Sequence, residues 1–216
     1  MRQLKIIPRH NQDEREEQRL QIISDLQEQK SLGRRILFLD EVNFTKASIS
    51  KVEWSNKNAN IDVDQERVYG GYVSCCAVIA EGTGIEALAI QKKAFNQQEF
   101  IRFLYWIAFM NNYEYTAIFM DNLAVHKTKL AMEAYKYLSI VPIFNLAYSP
   151  DYNPIESVFS QVKRIYKSKR LNRLANNKEF DAVWEVEDAF YKIPPSKMDP
   201  CIRHSMELLE DLDALA

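Results

Sequence analysis

A chain of 216 residues with 47% hydrophobic content is long enough for one ordinary domain with a sizeable core. A net charge of −2 excludes attachment to nucleic acid by bulk charge, so any such affinity has to come from local charge. Cys75, Cys76 and Cys201 read as reduced intracellular thiols. Neither they nor His10, His126 and His204 have zinc spacing, and the most apolar stretch, 103–110, is far short of the roughly 20 residues of a membrane span.

No secretory leader opens the chain, since residues 1–30 are polar and charged. Residues 11–31 carry Leu20, Ile22, Ile23 and Leu26 at helical spacing, which predicts a helix that Gly33 ends. Residues 35–42 read as a central strand, apolar on both faces. A polar, turn-rich loop covers 55–66. Two strands over 68–80 and 85–91 are joined at Glu81-Gly82-Thr83-Gly84. Asn96 and Glu99 form a capping box for a helix over 97–111. That helix is apolar nearly all round, so a second face is expected to meet the N-terminal helix or another subunit. Residues 115–121 are the next strand, His126 to Leu138 a helix, Ile140 to Phe144 a short strand and 154–170 a helix. Two further helices, 179–191 and 196–213, flank Pro194-Pro195.

The order of elements predicts an α/β fold. Its mixed sheet has an antiparallel meander of three strands plus two parallel strands, flanked by helices, in the ribonuclease-H-like order. The first and fourth strands can then lie side by side. Three segments are expected: an N-terminal helical extension (1–33), the main domain (34–178) and a C-terminal helical appendage (179–216).

Two of the apolar strands run straight into an acid, Ile36-Leu37-Phe38-Leu39 into Asp40 and Ala117-Ile118-Phe119-Met120 into Asp121. A third acid, Glu156, follows Asp121 after 34 intervening residues. A carboxylate closing a buried strand is costly unless its charge is offset. Three of them together would hold divalent metal, a common means of attacking phosphodiesters. Each acid also has a structural reading. Asp40 could cap a turn, Asp121 could cap the helix after it, and Asn153-Pro154-Ile155-Glu156 is a capping box in itself.

Asp121-Asn122-x-x-x-His126-Lys127 and Tyr148-Ser149-Pro150-Asp151-x-Asn153-Pro154-Ile155-Glu156 resemble the catalytic domain of mariner-like and IS630-like DDE transposases. Asp40-Glu41-x-x-Phe44, with Trp54 downstream, resembles that family's first motif, and the likeness covers roughly 35–170. The chain departs from the family at Phe159, where Trp is usual, and at Asn145-Leu146-Ala147, where Leu-Pro-Pro is frequent. The resemblance implies that Asp40, Asp121 and Glu156 are catalytic and bind two Mg²⁺ ions, with Mn²⁺ able to substitute. It also implies hydrolysis at element ends, then joining of a 3′-hydroxyl to target DNA. DNA and a second copy of the chain are the implied partners. The family carries helix-turn-helix modules ahead of this domain, and the 34 residues before Arg35 are too few for them, so a separate recognition module or subunit is expected. The implied compartment is the nucleus of a eukaryote or the nucleoid of a bacterium.

His126, Asn122 and Asn153 are the candidates for orienting the carboxylates, although His126 could equally be a helix-start histidine bonded to backbone. Residues 163–178 carry seven bases and no acid, and residues 179–216 carry ten acids and three bases. Lys163 and Arg164 stand about two helical turns beyond Glu156. With Lys167, Lys169, Arg170 and Arg173 they are candidate contacts to the DNA backbone. Tyr148, Tyr152, Phe159 and Tyr166 could stack on bases, or pack in the core. Besides a DDE recombinase, two readings stay open: a domesticated, non-catalytic DNA-binding or scaffolding protein, and a simple metal-dependent nuclease.

Overall fold

The longest described strand, β1 (Arg35–Thr45), lies at the centre of a five-stranded sheet. The computed structural model describes residues 12–45, 72–112, 114–176 and 178–211. The expected loop over 55–66, Trp54 and residues 68–71 of the expected second strand lie outside them. With β2 (Tyr72–Ala80), β3 (Gly84–Gln91), β4 (Thr116–Met120) and β5 (Ile140–Phe144), the order across the sheet is β3-β2-β1-β4-β5. The β1/β2 and β2/β3 pairs are antiparallel, and β1/β4 and β4/β5 are parallel. This is the sheet expected from the sequence, with the first and fourth strands adjacent.

Alternation along β1 divides the core into two layers. Phe38, Val42 and Phe44 face one layer, Leu37 and Leu39 the other. The first layer holds α1 (Gln12–Ser31), α4 (Pro154–Ala175), α5 (Ala182–Tyr191) and α6 (Pro195–Glu210). The second holds α2 (Gln97–Met110) and α3 (Lys129–Tyr137). Gly33, at φ +71°, closes α1 in a Schellman turn, with Arg34 N–H bonded to Gln29 O and Gly33 N–H to Lys30 O. The expected capping box of α2 is present, Asn96 accepting from Glu99 N–H and Glu99 from Asn96 N–H.

Several boundaries differ from expectation, each for a local reason. His126 does not start a helix. It lies in a 3₁₀ turn, Ala124–Lys127, and α3 begins only after Thr128, whose hydroxyl accepts from Ala131 N–H. Asp181 caps α5 through Val183 and Trp184 N–H, so that helix starts at Ala182 rather than 179. In α1, Ile22 and Leu26 are buried but Leu20 is exposed, and the inward turn is taken by Arg19. Its guanidinium is satisfied by Glu16 and by the backbone oxygens of Leu209 and Asp211, which ties α1 to the end of α6. The outer face of α2 is not covered by α1, which lies on the opposite side of the sheet, and Tyr105, Trp106, Phe109 and Met110 remain exposed. No described helix is long and apolar enough to cross a membrane.

Candidate active site

Strand register brings the first two acids together. The last position at which β1 and β4 pair is Phe38 beside Phe119, and Asp40 and Asp121 each lie two residues further along. Parallel strands keep those ends level. Glu156, the third residue of α4, faces the same cleft of about 530 Å³, which Asp40, Glu41, Asp121, Asn122, Asn153 and Glu156 all line. Asp40 is buried, and one of its oxygens accepts from Glu41 N–H at 2.7 Å. Burial, then the neighbouring Glu156 and Asp121 charges, push its carboxyl up to about 8 against the single opposing effect of that N–H.

Among the described residues no three His, Cys, Asp or Glu side chains are drawn close enough to grip an ion as they stand. Asp40 and Glu156 instead lie close enough for the Glu156 carboxylate to push the Asp40 carboxyl upward. The donor set nonetheless fits a hard divalent cation: Asp40, Asp121 and Glu156 offer only oxygen, at a place where uncompensated negative charge is strongly disfavoured.

Asn153 corrects an expectation. It occupies the cap position of α4, but its side chain makes no capping bond. Its Nδ2 donates 3.0 Å to the carbonyl of Leu39, the residue before Asp40. The capping-box account of Glu156 therefore fails. A buried hydrogen bond fastens the start of α4 to the end of the first motif, and the Glu156 side chain is left to meet Asp40.

His126 is fully buried against Phe100, with ring centroids 4.4 Å apart. Its Nδ1 is 2.9 Å from Asp121 Oδ1 and its Nε2 is 3.7 Å from Glu41 Oε1. Burial alone would lower its pKa, but the Asp121 and Glu41 carboxylates outweigh that and raise it to about 9. The 2.9 Å approach is an ion pair out of line for a hydrogen bond, so Asp121 Oδ1 remains without an aligned donor. Asn122, also expected to orient the acids, is exposed in the cleft wall and bonds to none of them.

The DDE superfamily endonuclease model matches residues 35–179, which includes all three acids. The chain belongs to this family. No curated protein has a matching sequence. Among solved structures the chain is similar to the Mos1 strand transfer complex, at 16% identity and a TM-score of 0.69. It is similar as well to the Mos1 mariner paired end complex with Mn, at 14% and 0.66. In both cases the match covers 97% of this chain and 64% of the other, so the chain spans about two thirds of their length. The isolated catalytic domain of Mos1 mariner transposase matches at 14% and 0.54, over 95% of this chain and 98% of that one. These likenesses establish the ribonuclease-H-like fold.

The basic helix α4 is more divided than its sequence implied. Arg170 is buried, its guanidinium 4.6 Å from the Phe180 ring centroid. Lys169 pairs with Glu185 and Asp188, and Arg173 with Glu185 at 2.8 Å. Lys169 and Arg173 thus neutralise acids of the C-terminal region, Arg170 is buried, and none of the three is free for phosphate. Lys163, Arg164 and Lys167 make no ion pair with a described residue, and Arg164 is exposed. Of the four aromatics, Tyr152, Phe159 and Tyr166 are buried and only Tyr148 is exposed, at the cleft.

Two contributors escaped the sequence reading. Arg15, on α1, donates to Ala147 O at 3.1 Å and Ser149 Oγ at 2.9 Å, bracing the loop before Glu156 from 132 residues away. Nothing local in the sequence announces that contact. Glu41 was visible as the neighbour of Asp40, and strand alternation would have placed it against the layer that contains His126.

Proposed function

We propose that the chain is the catalytic part of a metal-dependent DNA transposase, cutting phosphodiesters at element ends and joining the 3′-hydroxyl to target DNA. The observation that carries this reading is the convergence of Asp40, Asp121 and Glu156, from three distant parts of the chain, on one cleft at the end of β4 and the middle of β1. Membership of the endonuclease family and likeness to Mos1 complexes with transposon ends, Mn and Mg support it.

Asp40, Asp121 and Glu156 would hold Mg²⁺ or Mn²⁺. Bound there, such ions supply Lewis-acid assistance to an attacking hydroxyl and to the departing oxygen of an in-line displacement. Asn153 keeps Glu156 in register with Asp40, and His126 holds Asp121. Lys163, Arg164 and Lys167, further along the same helix as Glu156, would meet the phosphate backbone. A separate module for recognising DNA ends, and pairing of two copies, belong to the same reading.

The test is incubation of the protein with Mg²⁺ or Mn²⁺ and DNA bearing candidate terminal repeats. Nicking that Asp121→Asn abolishes, together with joined products, is the expected result. Nicking without joining identifies a simple nuclease. Retained DNA binding with no cleavage under either metal identifies a non-catalytic DNA-binding protein and overturns the proposal.

A further inference from the structure

Asp40 and Glu41 are consecutive on a strand, so their side chains leave the sheet on opposite faces. Asp40 follows Phe38 onto the layer of α4, where it meets Glu156. Glu41 follows Leu37 and Leu39 onto the layer of α2 and α3, where it meets His126. On that second face three polar atoms, Glu41 Oε1, His126 Nε2 and Asp121 Oδ1, are buried without an aligned hydrogen-bond partner. They form one line, carboxylate, imidazole, carboxylate, with gaps of 3.7 and 2.9 Å. Buried polar atoms left under-satisfied cost stability, and a cluster of them requires an explanation.

The setting supplies one. Asp121 stands just past the end of β4, with a third of its side chain exposed, so no strand pairing fixes it. His126 is fixed far better. Its backbone N–H bonds Leu123 O, its carbonyl accepts from the Tyr135 hydroxyl at 3.2 Å, and its ring lies against Phe100. Those contacts set the ring's place and plane. Its rotation is set at Nδ1 by Asp121, through the carboxylate at 2.9 Å and the backbone carbonyl at 3.4 Å, and at Nε2 by the Glu41 carboxylate. We propose that Glu41 is a positioning residue that holds the Asp121 carboxylate in its metal-binding orientation through the His126 ring. Glu41, whose side chain leaves β1 away from that of Asp40 although both residues line the cleft, thus shapes the metal site without ligating. This inference rests on the proposed function, since a divalent cation is what Asp121 is oriented for.

The test measures Mn²⁺ binding to the full chain by titration calorimetry, alongside metal-free melting and steady-state cleavage. Glu41→Gln, which preserves size, should weaken Mn²⁺ binding about 10-fold or more, within the range expected of groups that orient metal ligands. The KM for DNA should stay within twofold of wild type, and the metal-free protein should still melt in one cooperative transition, lowered by the lost pairing with His126. His126→Asn should weaken Mn²⁺ binding similarly, with His126→Gln replacing it should that variant not fold. The double variant should lose no more than the worse single one, because both act along one line. Losses that multiply in the double variant would make Glu41 a direct ligand and overturn the inference, as would unchanged Mn²⁺ affinity in Glu41→Gln. Absence of Mn²⁺ binding by the wild-type chain would overturn the proposed function together with this inference, so the two failures are told apart.

Discussion

Asp40 keeps its proton in the folded, metal-free protein to about pH 8, while the unfolded chain releases it near 3.8. Below about pH 4 both states hold the proton, so its contribution to stability is complete there. From about 4 to 8 only the unfolded state is ionised, so stability declines as pH rises, and the decline ends above 8. His126, raised to about 9 from 6.5, adds a further decline over that higher window, which leaves pH 4–6 diagnostic for Asp40. Asp40→Asn should flatten the decline in that window in chelator-treated protein, as read from denaturant melts at a series of pH values. A slope unchanged by the substitution would refute the buried, protonated Asp40. Asn153 gives a sharper contrast. A cap accepts Asp as readily as Asn, whereas a donor to Leu39 O does not. Asn153→Asp and Asn153→Ala should therefore each destabilise by about 1–3 kcal/mol, since each leaves a buried polar partner unmatched. Thermal melting decides the matter, and an Asp variant as stable as wild type would restore the capping account.

At the scale of elements, α4 does two jobs along one axis. Its first turn presents Glu156, and its last turns carry Lys169 and Arg173 into the acids of α5. Strand order and the boundary of α2 were legible in the sequence, because apolar alternation and a capping box are local signals. The division of the basic helix was not. Arg170 and Arg164 are the same residue type on different faces of α4, and what covers Arg170 is Phe180, ten residues away and beyond the helix. The third motif shows the same limit, since Asn153 chooses an acceptor 114 residues away over the cap beside it. Substitutions on the two halves of α4 should separate accordingly. Glu185 is buried and receives both Lys169 and Arg173, so Glu185→Ala strands Arg173 and leaves Lys169 with Asp188 alone. The cost should be on the order of 2–3 kcal/mol, below that of a fully buried pair because Arg173 is about a third exposed. Arg164→Ala should leave the melting temperature unchanged but weaken DNA binding, lowering the slope of log K against log salt by about one. A stability loss from Arg164→Ala with no change in salt slope would remove it from the proposed interface.

Across the whole molecule, the helical flanks that read as an extension and an appendage share the hydrophobic layer of the sheet. Ile22 and Leu26 of α1 and Val186, Phe190, Ile193, Met198, Ile202 and Leu209 of the C-terminal region lie in one buried cluster with β1 and α4. Gly84, at φ +81°, shows how tightly that region is seated. A Cβ there would come within 3.0 Å of Pro195, so the β2–β3 turn and the start of α6 are in direct contact. Gly82 N–H donates to Asp199 in the same contact. Each fully buried large apolar side chain contributes about 1.5–3 kcal/mol. The six C-terminal ones together contribute on the order of 10 kcal/mol, as much as the entire stability, about 5–15 kcal/mol, of an ordinary domain. A chain ending at Lys178 should therefore lose its cooperative thermal transition and bind a hydrophobic dye, although it retains Asp40, Asp121 and Glu156. The same truncation strands Lys169 and Arg173, which compounds the loss. Calorimetry and dye binding on the truncated chain provide the check. A sharp transition within a few degrees of the full-length value would show that the acids are held by the sheet and α4 alone, and would return the C-terminal helices to the standing of an appendage.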